Sequence, residues 1–216
     1  MSRGPRLIRA ARHRLRDIPR LIGYEKGPRW MSELRRRWVL LRHLHANVEI
    51  DPSCYLGPGF SLDIPHRGTF IAGPHCEFRR GFRAEVNGNG RIVFGAQSRC
   101  TYYVLMQCST SIEVGERCMF GQSTIVLDGN HRFRDLSQPM LEQGYEFSPL
   151  VIEDDATITT KCTIMASVGR RAFVGANSVV TKPVPPFTVA VGAPAKPIDY
   201  FGPEGLEPDA LTAGSS

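Results

Sequence analysis

The chain has 216 residues, 42% apolar and 22% charged, a balance suited to one globular domain with a real core and not to a disordered chain. No run of about 18 apolar residues is present, which excludes a membrane-spanning helix, and the arginine-rich start lacks the apolar h-region of a secretory signal. The six cysteines (54, 76, 100, 108, 118 and 162) form no CxxC pair, which argues against a zinc ribbon or redox motif; reduced thiols in a cytoplasmic protein are expected.

Charge is divided unevenly. Residues 1–45 carry thirteen Lys or Arg against Asp17, Glu25 and Glu33, a balance of +10, while the remainder is net −4, so the formal +6 belongs to a basic N-terminal arm. Within that arm Leu7, Ile8, Ala11, Leu15, Ile18 and Ile22 recur at helical steps, with a stop or kink at Pro19. A second helix is expected from about Pro28, striped by Trp30, Met31, Leu34, Trp38, Leu41 and Leu44. The plain expectation is that both stripes pack on the body or on a partner subunit. The sharper one is a basic amphipathic surface for anionic head groups or phosphorylated substrates, giving peripheral membrane contact at the inner face of the cytoplasmic membrane. No motif of a nucleic-acid reader interrupts the arginines, so nucleic acid is not an expected partner.

From residue 50 the period changes to six. Ile50, Leu56 and Leu62 are six apart, as are Phe94, Cys100 and Met106; Val114, Phe120 and Val126; Ile152, Ile158 and Ile164; and Val168, Val174 and Val180. A small or β-branched residue follows four positions later, as at Ser98, Cys118, Ala156, Cys162 and Ala172, and glycine often follows directly, as at Gly57, Gly95 and Gly121. Six residues turn an α-helix by about 600°, so these side chains would share no helical face. In a spiral of short strands they form one side of a coil, three hexads to a triangular turn, with glycine easing the corner. Cys118 and Cys162 then sit inward as compact hydrophobes, not as nucleophiles. The phase breaks at LDGNHRFRDLSQPMLEQGYEFSPLV, too polar for coil wall, and again at Ile164 to Val168, a step of four that shortens one corner.

These features resemble the hexapeptide-repeat family, whose fold is a left-handed parallel β-helix, mainly β. The resemblance covers roughly residues 48–198. The run NHRFRDLSQPMLEQGYEFSP, with VIEDD and VGANSVVTKPVPPFTVAVGAPAKPI, is similar to the maltose/galactoside O-acetyltransferase branch. The chain therefore divides into a basic helical arm (1–45), a β-helix acyltransferase domain (46–198) with a loop at 127–150, and a flexible tail (199–216). The resemblance implies a homotrimer in the polysaccharide-biosynthesis sphere, with the loop of one subunit facing the groove of the next.

By the same resemblance His131 is the catalytic histidine and acetyl-CoA the acyl donor, with no metal expected. An imidazole with an ordinary pKa of about 6.5 can take a proton from a sugar hydroxyl and return it to the departing thiolate. No G-x-S-x-G elbow is present, so direct transfer is expected rather than an acyl-enzyme. Asn130, Glu142 and Glu146 are candidate acceptor-binding residues, and Asp128, Glu142 and Glu146 are candidates to hold the second imidazole nitrogen. The family's donor groove implies Ala176 for a backbone contact, with Thr181 and Lys182 near the phosphates of coenzyme A. Two rivals stand beside this reading. A three-histidine metal site of the carbonic-anhydrase type lacks any histidine after His131. A non-catalytic assembly or binding module is suggested by Glu153, Thr157 and Thr159, which replace the family's glycine, tryptophan and glycine in the donor groove.

Overall fold

The computed structural model describes residues 28–208 and Leu211. The stripe expected over residues 7–22 lies outside them. From Asn47 onward the chain winds in stacked coils, each laying a short strand on three walls and pairing in parallel with the coils before and after. The first wall stacks Asn47–Ile50, Thr69–Ala72, Arg91–Phe94, Ser111–Val114 and Leu150–Ile152, and single bridges extend it through Val168 and Val184. The second begins with Tyr55–Leu56 and ends with Thr188–Gly192, to which Ala195–Tyr200 adds antiparallel. The third runs from Ser61–Asp63 to Val179–Val180. This is the left-handed parallel β-helix that the family resemblance implies, built on the three-sided coil that the hexads predict. Its last strand continues two residues past the expected boundary at 198.

Register explains both the regularity and the breaks. Ile50, Ala72, Phe94, Val114 and Ile152 stand in one column of the first wall. Leu56, Phe78, Cys100, Phe120 and Ile158 form the matching column of the second, and Leu62, Ala84, Met106, Val126 and Ile164 that of the third. From the first wall to the second, and from the second to the third, the step is six residues in every coil. The return from the third wall to the first is different. It takes ten residues from Leu62 to Ala72 and from Ala84 to Phe94, then eight from Met106 to Val114. After the long excursion it takes four, from Ile164 to Val168 and from Val180 to Val184. The shortened corner is therefore one of two, and all length variation sits on one edge of the prism.

Side chains follow coil width. The wide early coils are filled by Phe60, Phe70, Phe78, Phe82 and Phe94, with ring centroids as close as 4.6 Å for Phe78 and Phe82. The narrow late coils hold Ile158, Val168, Ala172, Val174 and Val180. Burying a side chain of this size stabilises by roughly 1.5–3 kcal/mol. A hexad read passes over the coil of Ala72, Phe78 and Ala84, because two of its three wall residues are small. Phe82 likewise occupies a position where later coils place Cys162 and Ser178.

The glycine role is also sharper than expected. The left-handed backbone falls three positions after the wall residue, at Gln97, Arg117, Tyr103, Ser123, Lys161 and Asn177 among others, with φ of 55 to 63°. The glycines directly after the wall residue serve close stacking instead. A Cβ on Gly95 would lie 2.6 Å from the Gly115 carbonyl carbon, and one on Gly121 2.5 Å from that of Thr159.

Helix α1 (Arg29–Arg42) closes the open end of the spiral. Ser32 Oγ accepts from the Leu56 amide at 2.8 Å, and the Arg35 guanidinium donates to the Leu56 carbonyl at 2.6 Å. His45 Nε2 lies 2.8 Å from the Ile64 carbonyl. These contacts satisfy edge groups that a terminal coil leaves unpaired. Ser32, Val39 and His43 are the buried residues of this segment, whereas Trp30, Leu34, Trp38, Leu41 and Leu44 point outward. The expected apolar stripe thus does not pack on the body. The end of a β-helix offers backbone polar groups, and a hydroxyl and guanidinia meet them where leucine and tryptophan could not.

Candidate active site

The excursion leaves the third wall after Ile125–Leu127 and rejoins the first at Leu150–Ile152, so its root is the one edge with free length. Its neck is a short antiparallel ladder, Gly129–His131 against Tyr145–Phe147, in which His131 faces Tyr145 and Asn130 faces Glu146. The Ser148 amide donates to the Asp128 carbonyl at 2.8 Å and closes the neck. Gly129 is required because a Cβ there would run into the Phe147 ring.

Asp128 anchors this neck to the preceding coil. Its carboxylate is buried and accepts from the amides of Ser109 (2.9 Å) and Thr110 (2.6 Å) and from the Thr110 hydroxyl (2.8 Å). The Cys108 thiol donates to it at 3.3 Å, and burial first, then this carboxylate, pushes that thiol up to about 12. Asp128 is therefore committed to the scaffold and not to the imidazole.

His131 is exposed, and its ring lies 4.3 Å from that of Tyr145, which stacks in turn on Phe147 at 5.7 Å. No carboxylate bonds to its ring nitrogens among the described residues; Glu142 sits in the turn Met140–Glu142 and Glu146 across the ladder, both exposed. Asn130 Oδ1 accepts from the His131 amide at 2.9 Å, which fixes the local turn of the backbone. Beyond the neck, Gln143 braces the excursion, its amide nitrogen donating to the carbonyls of Asp135 (2.8 Å) and Gln138 (3.0 Å) and its oxygen accepting from the Asp135 amide (3.0 Å).

His131 lines two clefts. One, of about 600 Å3, is walled by Asn87, Gln107, Ser109, Asp128 and Tyr145; the other, of about 520 Å3, by Phe133, Arg134, Gln138, Gln143 and Glu146. Asn87, Gln107 and Ser109 escape a reading by motif. They come from earlier coils and share only the variable edge with His131, a relation that becomes visible once coil register is known. Thr181 and Lys182 lie on that same edge, in the four-residue return from Val180 to Val184, two coils beyond the excursion. At about 4.8 Å per coil, this is roughly 10 Å along the axis. Ala176 lies on a different edge, between the second and third walls; all three are exposed. Glu153 and Thr159 brace neighbouring coils, Glu153 accepting from the Arg170 amide at 2.6 Å and the Thr159 hydroxyl donating to the Val174 carbonyl at 2.7 Å.

No protein-family model matches the chain, so its kinship rests on individual relatives and on the fold. A Mycobacterium tuberculosis protein named as an acetyltransferase is 28% identical over 76% of this chain and 56% of its own length. WbbJ of Escherichia coli, named for O-acetyl transfer in lipopolysaccharide biosynthesis, is 29% identical over 67% of this chain and 79% of its own. A hexapeptide-repeat acetyltransferase of Vibrio cholerae, solved with acetyl coenzyme A, superposes with a TM-score of 0.51 at 25% identity, covering 78% of each chain. The chain is thus similar to acetyltransferases and shares its fold with acyltransferases of the hexapeptide-repeat type. The N-acyltransferase AntD of Bacillus cereus shares the fold, with a TM-score of 0.61 at 15% identity over 76% of this chain and 87% of its own. The chain spans just over half the length of the mycobacterial relative.

Proposed function

We propose that this protein is a CoA-dependent O-acyltransferase, an acetyltransferase, that modifies a hydroxyl of a sugar or glycan-pathway acceptor. The observation that carries the reading is the placement of His131: an exposed imidazole on a braced neck, lining two clefts, on the edge that also carries Thr181 and Lys182. The names of WbbJ and of a galactoside O-acetyltransferase of Lactococcus lactis (26% identical over 56% of this chain and 58% of its own) support a sugar acceptor.

In this mechanism an imidazole nitrogen of His131 takes the proton of the acceptor hydroxyl as its oxygen attacks the thioester carbonyl. The carbon–sulfur bond then breaks, the acyl group stays on the acceptor oxygen, and the departing sulfur receives the proton from the imidazolium. Asn130, Glu142 and Glu146 line the acceptor side, and the Lys182 ammonium suits the phosphates of the donor. The stack of His131, Tyr145 and Phe147 holds the ring without a carboxylate behind it.

We place the chain in a homotrimer. Leu136, Met140 and Leu141 stand exposed on the excursion, Leu136 completely, and a neighbouring copy would cover them. A lipid-linked acceptor at the inner face of a membrane belongs to the same reading, with the N-terminal arm as the contact. The second reading, a non-catalytic module, draws on Glu153 and Thr159, whose side chains join coils.

Titration of the purified chain with acetyl-CoA, with and without a panel of galactosides and nucleotide-linked sugars, separates the two. Acetyl-CoA raises the melting temperature of both wild type and His131→Ala, while transfer falls about 10²–10⁴-fold in the variant. Absence of stabilisation by any CoA ester leaves the assembly module standing. Near-normal turnover in His131→Ala removes the imidazole from the mechanism.

A further inference from the structure

Helix α1 turns its apolar face away from the protein. Trp30, Leu34, Trp38 and Leu41 follow one another at helical spacing and are 57–64% exposed. The opposite face, Ser32, Val39 and His43, is buried and Ser32 is hydrogen-bonded to the first coil. Two residues around a helix amount to about 200°, so Trp30 and Ser32 point opposite ways. Arg29, Arg37 and Arg42 are exposed beside the apolar stripe. The helix's single acid, Glu33, is matched by Arg36 and Arg37, whose guanidinia hold its carboxyl down at about 2. The 27 residues that enter the helix at its Trp30 end carry eight Lys or Arg against Asp17 and Glu25.

We infer that this outward face is a docking surface for an anionic lipid bilayer, with the tryptophan rings at head-group depth and the arginines on lipid phosphates. The inference deepens the membrane-facing part of the proposed function and rests on it. Tryptophan and arginine are the residue types that favour a bilayer boundary. Apolar side chains that neither the first coil nor any other described element covers need such a phase. A second copy of the same face would instead set arginine against arginine.

The chain contains two tryptophans, and both lie on this face. Its intrinsic fluorescence therefore reports the contact without a label. Vesicles of phosphatidylcholine containing about 30% phosphatidylglycerol are expected to shift emission to the blue and to float the full-length protein. Pure phosphatidylcholine vesicles should do neither, and added salt should weaken the effect. Leu34→Glu with Leu41→Glu keeps both reporters and the buried side of the helix, and is expected to bind at least about tenfold more weakly, with an unchanged melting temperature. Three results overturn the inference: no shift with anionic vesicles, an undiminished shift in the double variant, or emission already blue and concentration-dependent without lipid, which assigns the face to a second copy. Acetyl-CoA stabilisation measured on the same samples keeps the two proposals apart, because loss of lipid binding with donor binding intact removes only the docking face.

Discussion

Two edges of the prism never change length, and the third changes it along the spiral. Walls one to two and two to three are joined by six residues in every coil, whereas the third return takes ten, ten, eight, a long excursion, four and four. The difference has a physical origin. At the constant edges a left-handed residue turns the chain and the next side chain enters a continuous inner column, such as Cys54, Cys76, Ser98, Cys118, Ala156 and Ala172, where extra length has no room. The third edge keeps its buried columns at its two ends, Val86 and Cys108 leaving the third wall and Phe70, Ile92, Ile112 and Leu150 entering the first, and takes up extra residues between them, which widens the early coils, narrows the late ones and releases the segment bearing His131.

The sharpest way to break this comparison is to lengthen one edge of each kind. Two residues inserted between Gln97 and Ser98 displace Ser98 from the inner column, where its hydroxyl donates to the Gly115 carbonyl at 2.8 Å and accepts from the Cys118 amide at 3.0 Å. Orphaning those groups and disrupting the packing around them is expected to cost about 4 kcal/mol or more in urea unfolding. The same two residues inserted after Gly88, a turn position with open space around it, should cost less than about 1 kcal/mol. Equal losses at both sites would abolish the distinction.

A second comparison is between the wide and narrow halves. Phe78 touches an aromatic cluster, with ring centroids 4.6 Å from Phe82, 5.0 Å from Phe94 and 5.4 Å from Phe60. Phe78→Ala should cost about 3–5 kcal/mol, because ten-residue returns hold the walls apart and the cavity cannot collapse. Val174→Ala in the narrow half removes less volume and should cost about 2 kcal/mol. Urea midpoints with unchanged slopes check both values.

The same contrast explains what a reader of the sequence can and cannot see. The constant edges are legible because six-residue spacing leaves a signature in Ile152, Ile158 and Ile164. The coil of Ala72, Phe78 and Ala84 is hidden, since a wide turn puts its bulk in Phe70 and Phe82 rather than at every hexad position. The excursion that bears His131 is legible as the polar interruption of the repeat. Asn87, Gln107 and Ser109 are not, because their nearness to His131 depends on how many residues each earlier return consumes. The outward face of α1 is hidden for another reason: a tryptophan and leucine stripe reads as core until the end of the β-helix, with its polar backbone groups, is known to be what the helix covers.

The most local test asks how firmly the variable edge holds its one long segment. Asp128→Asn keeps the size of the side chain but removes the charge and turns an amide group toward the Ser109 and Thr110 donors. The loss of charge-assisted bonds should lower stability by roughly 1.5–3 kcal/mol. Local consequences are more diagnostic than that figure. With the carboxylate gone, the Cys108 thiol loses one of the two causes that raise it, so its pKa should fall from about 12 while burial still keeps it above the ordinary value. On the proposed mechanism transfer should fall as well, because Asp128 roots the neck three residues from His131, while any stabilisation by acetyl-CoA should be equal in variant and wild type. A drop in the thiol pKa together with unchanged turnover would mean that the neck ladder alone, Gly129–His131 against Tyr145–Phe147, positions the imidazole.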